Sequence, residues 1–364
     1  MKKFLCWLCA LTIIMCVAGC GSNDLDNRTL NNQSSASDKG GQNVTSSKPD
    51  SSTPVKPAEN TKITLSFTGD MIITAYKDQP GGGRFDDYLK ANSYDYFLSK
   101  VAHIFKNDDF TISNLENVLS DREDLTPTPK NYSPAYWFKA ESSRIKILSE
   151  SGIDGVTLNN NHTRDYGEQG YQDTVKTVQD AGMQYGSNGQ IMYFEKQGFK
   201  IAVVCVGLWA ASSANAALPY LNTAKENSDY QIIMFHGGTE KIHAPEEWKR
   251  QAARKLVDNG ADLVVGSHPH VLQPREVYNG VEIVYSLGNF CYGGSRYPEN
   301  RTVIYQMELE VDNNKQVVKS TSSIIPCFVH TGGSTSNFQP AIVEDEAVKN
   351  QILQFMNGEI DSPI

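Results

Sequence analysis

From Lys62 onward the chain repeats one device: a short run of β-branched and aromatic residues, bounded by glycine or asparagine, followed by a stretch of helical patterning. The runs are KITLSFTG, FTISN, DGVTLN, KIAVVCVG, QIIMF, ADLVVG and VEIVYSLG. Helices are expected near residues 94–106, 142–151, 168–181 and 245–259. Gly152, Gly182 and Gly260 stand where three of them need a C-terminal cap. Such alternation demands helices layered on sheet, an α/β fold. A late pair, TVIYQMELEV and QVVKSTSSIIPCFV, joined by DNNK, reads as an antiparallel hairpin, so the sheet system is expected to be mixed. Residues 121–134, charged and then proline-rich, read as a surface loop.

The start of the chain follows other rules. MKKFLCWLCALTIIMCVAGC places two lysines before an apolar stretch and small residues, the layout of a secretory signal over residues 1–19. Its ending, Val17-Ala18-Gly19-Cys20, resembles a lipobox, which makes Cys20 the expected lipidation site and the outer face of the bacterial cytoplasmic membrane the expected location. From Cys20 to Asn60, Ser, Asn, Gly and Pro dominate. Such a segment buries too little apolar surface to offset its ordering entropy and reads as a tether. The folded domain is therefore expected over residues 61–364. A formal net charge of −9 gives no support to nucleic-acid binding. Cys205 reads as a small core residue, and the sequence leaves a Cys291–Cys327 pair open.

The informative residues are those that end the runs. These are Asp70, then Asn114 with Glu116, then Asn160, Asn161 and His162, then His236 with Glu240, then His268 with His270, and last Ser286 with Asn289. Ligands of open α/β sheets bind outside the carboxyl ends of the strands, so these residues are expected to form one cluster. In SHPH, Pro269 is expected to hold His268 in extended backbone, so that the two imidazoles share a face. The mixed nitrogen and oxygen set, without thiolate, suits Mn, Fe or Zn, and two divalent ions bridged by a carboxylate are expected. His162, with Asp165 three residues on, reads as a proton donor and its orienter. His103, His243 and His330 read as structural.

Taken together, FTGD, NLE, NNNHTRDYGEQG, HGGTE, GADLVVGSHPHVLQP and YSLGNF resemble the CapA family of poly-γ-glutamate capsule biosynthesis proteins, over roughly residues 61–290. That family is similar in fold to the calcineurin-like metallophosphoesterases, which implies a mixed β-sandwich flanked by α-helices. The resemblance implies metal ligation by Asp70, Glu116, Asn161, His236, His268 and His270, with His162 as the acid. Glu240, Ser286 and Asn289 match motif positions assigned to the substrate side. The implied role is metal-dependent phosphoester hydrolysis at the cell surface. An anionic polymer or phosphoester is the implied substrate, and capsule synthesis or export proteins are the implied partners. Three departures stand out. The wider superfamily begins with Asp-x-His, and no histidine follows Asp70. The family's His-Trp-Gly-x-Glu is HGGTE here, so Gly237 is expected to widen the pocket. Ser267 replaces a histidine and removes an outer hydrogen-bonding group. The same residues also fit a non-catalytic polymer-binding module; the gap after Asp70 favours that reading and the His162–Asp165 pair favours the enzyme.

Overall fold

The structure, a computed structural model, describes residues 59–363 apart from Gly83 and Asn188. The expected signal segment, Cys20 and the tether as far as residue 58 lie outside the described residues. The chain begins with β1 (Thr61–Met71), α1 (Phe85–Ala91), α2 (Ala102–Phe105), β2 (Phe110–Leu115), β3 (Val118–Leu119) and β4 (Lys139–Ala140). Next come α3 (Lys146–Ser149), β5 (Gly155–Thr157), α4 (Gly167–Asp180), β6 (Gln184–Gly186), β7 (Met192–Lys196) and β8 (Phe199–Gly207). They are followed by α5 (Ser213–Asn227), β9 (Tyr230–His236), α6 (Glu247–Asp258), β10 (Leu263–Ser267), β11 (Leu272–Tyr278) and β12 (Val281–Leu287). The last elements are β13 (Asn289–Cys291), β14 (Arg301–Val311), β15 (Val317–Phe328), β16 (Ala341–Ile342) and α7 (Glu346–Met356).

Two large sheets result, ordered β16-β15-β14-β1-β2-β5-β6, with β13 also paired to β1, and β11-β12-β10-β9-β8-β7, beside a two-stranded β3–β4 pair. The strands β1, β2, β5 and β6 run parallel, as do β8, β9, β10 and β12. Antiparallel strands complete both sheets, and β14–β15 is the expected hairpin. All seven apolar runs form strands of these sheets.

Side-chain alternation explains the layering. In β8, Phe199, Ile201, Val203 and Cys205 face a core shared with Ile63, Leu65 and Phe67 of β1, while Ala202, Val204 and Val206 face α5 and α6. The first sheet buries its other face under the shorter helices and α4, through residues such as Phe97, Phe105, Val175 and Val178. Helices therefore cover both outer faces of a mixed β-sandwich, as expected. Gly152, Gly182 and Gly260 have φ of 93°, 76° and 101°, the left-handed conformation of a helix C-terminal glycine.

Local expectations change, and the helix expected over residues 142–151 becomes a 3-10 stretch, Ser142–Ile145, followed by the single turn α3. The helix expected over residues 94–106 breaks into a 3-10 turn, Tyr94–Tyr96, and the single turn α2. Helices α1, α5 and α7 were not expected. The open Cys291–Cys327 question resolves to free, buried thiols. Among the described residues no helix is long and apolar enough to cross a membrane.

Candidate metal centre

The site forms where the carboxyl ends of parallel strands from both sheets meet. In the first sheet Asp70 stands beside Asn114 on one side and Asn289 on the other. In the second sheet His236 stands beside Ser267. The register slips at Asp70, a bulge that turns its carboxylate toward the second sheet. Asp70 reaches that position because residue 69 is glycine: a Cβ there would lie 1.9 Å from the Gly288 carbonyl oxygen. The Asp70 N–H donates to that same oxygen at 3.0 Å.

Asp70 is fully buried and accepts from Asn114 Nδ2 at 2.7 Å and from the His268 backbone N–H at 3.2 Å. Its Oδ2 lies 3.2 Å from His270 Nδ1. Burial alone would raise its pKa; the hydrogen bond to His270, that ring's charge and the hydrogen bond from Asn114 outweigh it and hold the group well below the carboxylate range. Glu116, fully buried and close to Asp70, shows the opposite balance: burial, then the Asp70 charge, raises it. Its Oε1 makes no hydrogen bond, and at 3.4 Å from His236 Nε2 it points into the cluster.

His236 Nδ1 meets Ser267 Oγ at 3.0 Å. With that nitrogen engaged, Nε2 faces Asn161 Oδ1 at 2.7 Å and His268 Nδ1 at 3.0 Å. Burial lowers His236 to about 3 and His268 to about 2, so both rings are neutral and present lone pairs. An orphaned carboxylate oxygen and converging lone pairs are what a cation requires. Three groups of side chains have ligand atoms spaced to hold an ion: Glu116, His236 and His268; Glu240, His268 and His270; Asp70, Glu116 and His270. The residues therefore fit a divalent metal.

The geometry of SHPH differs from its expectation. His268 and His270 have φ of 99° and 57°, left-handed rather than extended. The local preference imposed by Pro269 yields to tertiary hydrogen bonds: His268 N–H on Asp70, and Lys241 N–H on the Pro269 carbonyl at 2.8 Å. Strained backbone of this kind persists only where the surroundings hold it. The rings still converge, with centroids 5.8 Å apart.

His162 Nδ1 binds Asp165 Oδ2 at 2.7 Å, which leaves Nε2 for proton transfer. Asp165 is held in turn by the Phe138 N–H at 2.8 Å and by Lys130 Nζ at 2.6 Å. Lys130, missed in the sequence, lies in residues 121–134; the loop is exposed at many positions, but this side chain is 8 % exposed and folds over the pair. Asn114 was missed as a hub: it donates to Asp70, and its Oδ1 accepts from Asn160 Nδ2 at 3.0 Å.

Several other positions depart from their assignments. Glu240 joins the ligand groups. Ser286 is fully buried and donates to the Val271 carbonyl at 2.8 Å, a backbone support rather than a substrate contact. Asn289 is buried and clamps His270 through Nδ1 at 2.9 Å and its carbonyl at 3.2 Å, a support for a ligand. Ser267 keeps a hydrogen bond to His236 where loss of one was expected. Gly237 does not leave the pocket without an aromatic wall, because Trp209 packs on His236 and His268. His243 and His330 are structural, bonded to the carbonyls of Leu272 and Ser295.

Residues 64–293 match the family model of the bacterial capsule synthesis protein PGA_cap. The capsule biosynthesis protein CapA of Bacillus anthracis is 28% identical over 310 residues, covering 77% of this chain and 70% of that protein. The PGA biosynthesis protein CapA of Bacillus subtilis (strain 168) is 28% identical over 278 residues, 70% of each chain. Among solved structures, a hypothetical protein from Thermus thermophilus aligns with a TM-score of 0.45 at 16% identity, over 72% of this chain and 99% of that one. The matched span runs from β1 to just beyond β13 and includes every strand end that supplies the site; the chain belongs to the family of bacterial capsule synthesis proteins PGA_cap.

Proposed function

We propose that this chain is a metal-dependent phosphoesterase acting in the synthesis, export or processing of an anionic surface polymer such as poly-γ-glutamate. The carrying observation is the placement of the His162–Asp165 pair, 2.7 Å apart, on the loop whose Asn161 joins the ligand cluster. A structural metal site has no need of an oriented proton donor. A divalent metal, with two ions as the favoured count, supplies neutralisation of an anionic ester and activation of water. Asp70 and Glu116 orient the first sheet's side of the centre, and His236, His268 and His270 the second's. Asp165 fixes the ring of His162, whose Nε2 delivers a proton to the leaving oxygen. Lys130 holds Asp165 in place and offsets its charge.

The test uses protein purified without chelator, its metal content measured, on a panel of phosphomonoesters and phosphodiesters. Metal-dependent turnover is expected, falling about 10²–10⁴-fold in His162→Ala while metal content is retained. Full metal occupancy without turnover would sink the enzyme and favour a polymer-binding module. The observation on that side is Ile72, which is buried in the core two residues past Asp70, where a further imidazole would stand.

We also infer surface attachment through lipidated Cys20, supported by the small-small-cysteine ending of the apolar leader. A Cys20→Ala chain is expected to leave the membrane fraction; undiminished retention there would count against the anchor.

A further inference from the structure

Trp209 stands beside the cluster without supplying a ligand. Its indole meets His268 and His236 at 5.0 and 5.8 Å between centroids, steeply inclined to both, yet it is 48 % exposed. An aromatic face this large, open beside the ligand cluster, is available to whatever the cluster binds. The indole N–H has no acceptor among the described residues.

The ring is held in place. The N–H groups of Trp209 and Ala210 donate to Ser213 Oγ at 3.1 and 3.2 Å, at the start of α5. Leu208 N–H donates to the His236 carbonyl at 3.0 Å and ties the preceding residue to the end of β9. Two glycines shape the space. A Cβ at Gly207 would lie 2.7 Å from Trp209 Nε1, so the indole folds back over a position kept bare for it. A Cβ at Gly237 would lie 1.8 Å from the Leu208 carbonyl oxygen, so that strand end admits no side chain of its own. A fixed, half-open indole with a free donor at its edge suits a ring with an apolar face, a nucleobase or the C–H face of a sugar, lying beside an anion held by the metal centre.

We propose that Trp209 is a stacking platform for a ring carried by the substrate's alcohol part. The preferred ligand is then a phosphate ester of a sugar or nucleoside rather than of an open-chain alcohol. This rests on the phosphoesterase reading and names its substrate class.

The full chain, loaded with manganese, is titrated calorimetrically with glucose 1-phosphate, adenosine 5′-monophosphate and glycerol 3-phosphate, and assayed on the same esters. At least one ring-bearing ester is expected to bind about tenfold more tightly than glycerol 3-phosphate. Tighter binding of the glucose ester assigns a sugar, and of the adenosine ester a base. Trp209→Ala should erase the preference, Gly207→Ala should weaken it by displacing the indole, and Trp209→Phe should retain most of it. Metal content is measured on every variant to confirm an intact centre. An undiminished preference in metal-replete Trp209→Ala overturns the platform, as does equal binding of all three esters. So does competition by poly-γ-glutamate alone. Ring-selective binding without hydrolysis would leave the platform standing and remove the phosphoesterase; hydrolysis without ring preference would do the reverse.

Discussion

His268→Ala is expected to strip bound metal from the protein and to remove any metal-dependent turnover, a larger effect than loss of a ligand that belongs to a single group, such as Glu240. His268 belongs to two of the three ligand groups, with Glu116 and His236 in one and with Glu240 and His270 in another. Its loss therefore damages both. Glu240, exposed and present in one group, should matter less. Ser267 Oγ meets the far nitrogen of His236 at 3.0 Å and donates to the Phe235 carbonyl at 3.4 Å, so Ser267→Ala should weaken metal binding by the roughly 10–100-fold typical of an outer partner. His268→Ala should exceed that. The measurement is metal content by mass spectrometry after dialysis, beside a thermal melt of the metal-free protein. The melt should hold in His268→Ala, because His268 Nδ1 and His236 Nε2 face one another at 3.0 Å as neutral rings kept so by burial. Removing the His268 ring takes no charge out of the core and leaves the residue 268 N–H on Asp70 and the Ser267 bond to His236 in place. Undiminished metal content in the folded variant would refute the assignment.

The parts legible in the sequence were those set by local periodicity. Strand β8 could be read because its alternate residues are bulky on both faces, and α4 and α6 because a glycine follows each. Helix α5 was hidden for a physical reason: its buried stripe is Ala214, Ala217, Leu221 and Ala224, with Pro219 inside, so the stripe carries almost no hydrophobic contrast. Helix α7 carries a signal at each end. Asp345 caps Ala347 N–H at 2.9 Å, and Gly358, with φ of 72°, follows its end.

The site divides the same way. Asp70, Glu116, Asn161, His236, His268 and His270 announce themselves by ending apolar runs, and the structure brings them together. Lys130 and Trp209 could not be read, because each reaches the site by the path of a loop. A lysine in a charged, proline-rich segment looks solvated until Asp165 is found beneath it at 2.6 Å. The backbone of His268 failed for the complementary reason. The proline rule describes one residue's sterics, whereas a buried carboxylate 198 positions earlier accepts its N–H.

Gly69→Ala is expected to unseat Asp70 and destabilise the domain together. The added Cβ would lie 1.9 Å from the Gly288 oxygen and 2.9 Å from its carbon, both backbone atoms that no rotamer change can move. Gly288 has little freedom to yield, since its φ is 73° and its own Cβ position is 2.9 Å from the Arg301 oxygen. Relief therefore requires β1 and the β12–β13 turn to part, which breaks the Asp70 N–H bond to Gly288 and shifts the carboxylate relative to Asn289 and His270. Overpacking of this kind costs about 1–3 kcal/mol. In a domain of this size each kcal/mol lowers Tm by about 2–4 °C. Gly293→Ala is the matched control, because nothing lies within 4 Å of its added Cβ. Gly69→Ala should melt earlier and hold less metal, while Gly293→Ala should match the parent in both. Metal loss in Gly69→Ala at a temperature where the fold is intact would separate the displacement of Asp70 from general unfolding; full metal content there would show that the strand ends can part without disturbing the centre, contrary to the geometry.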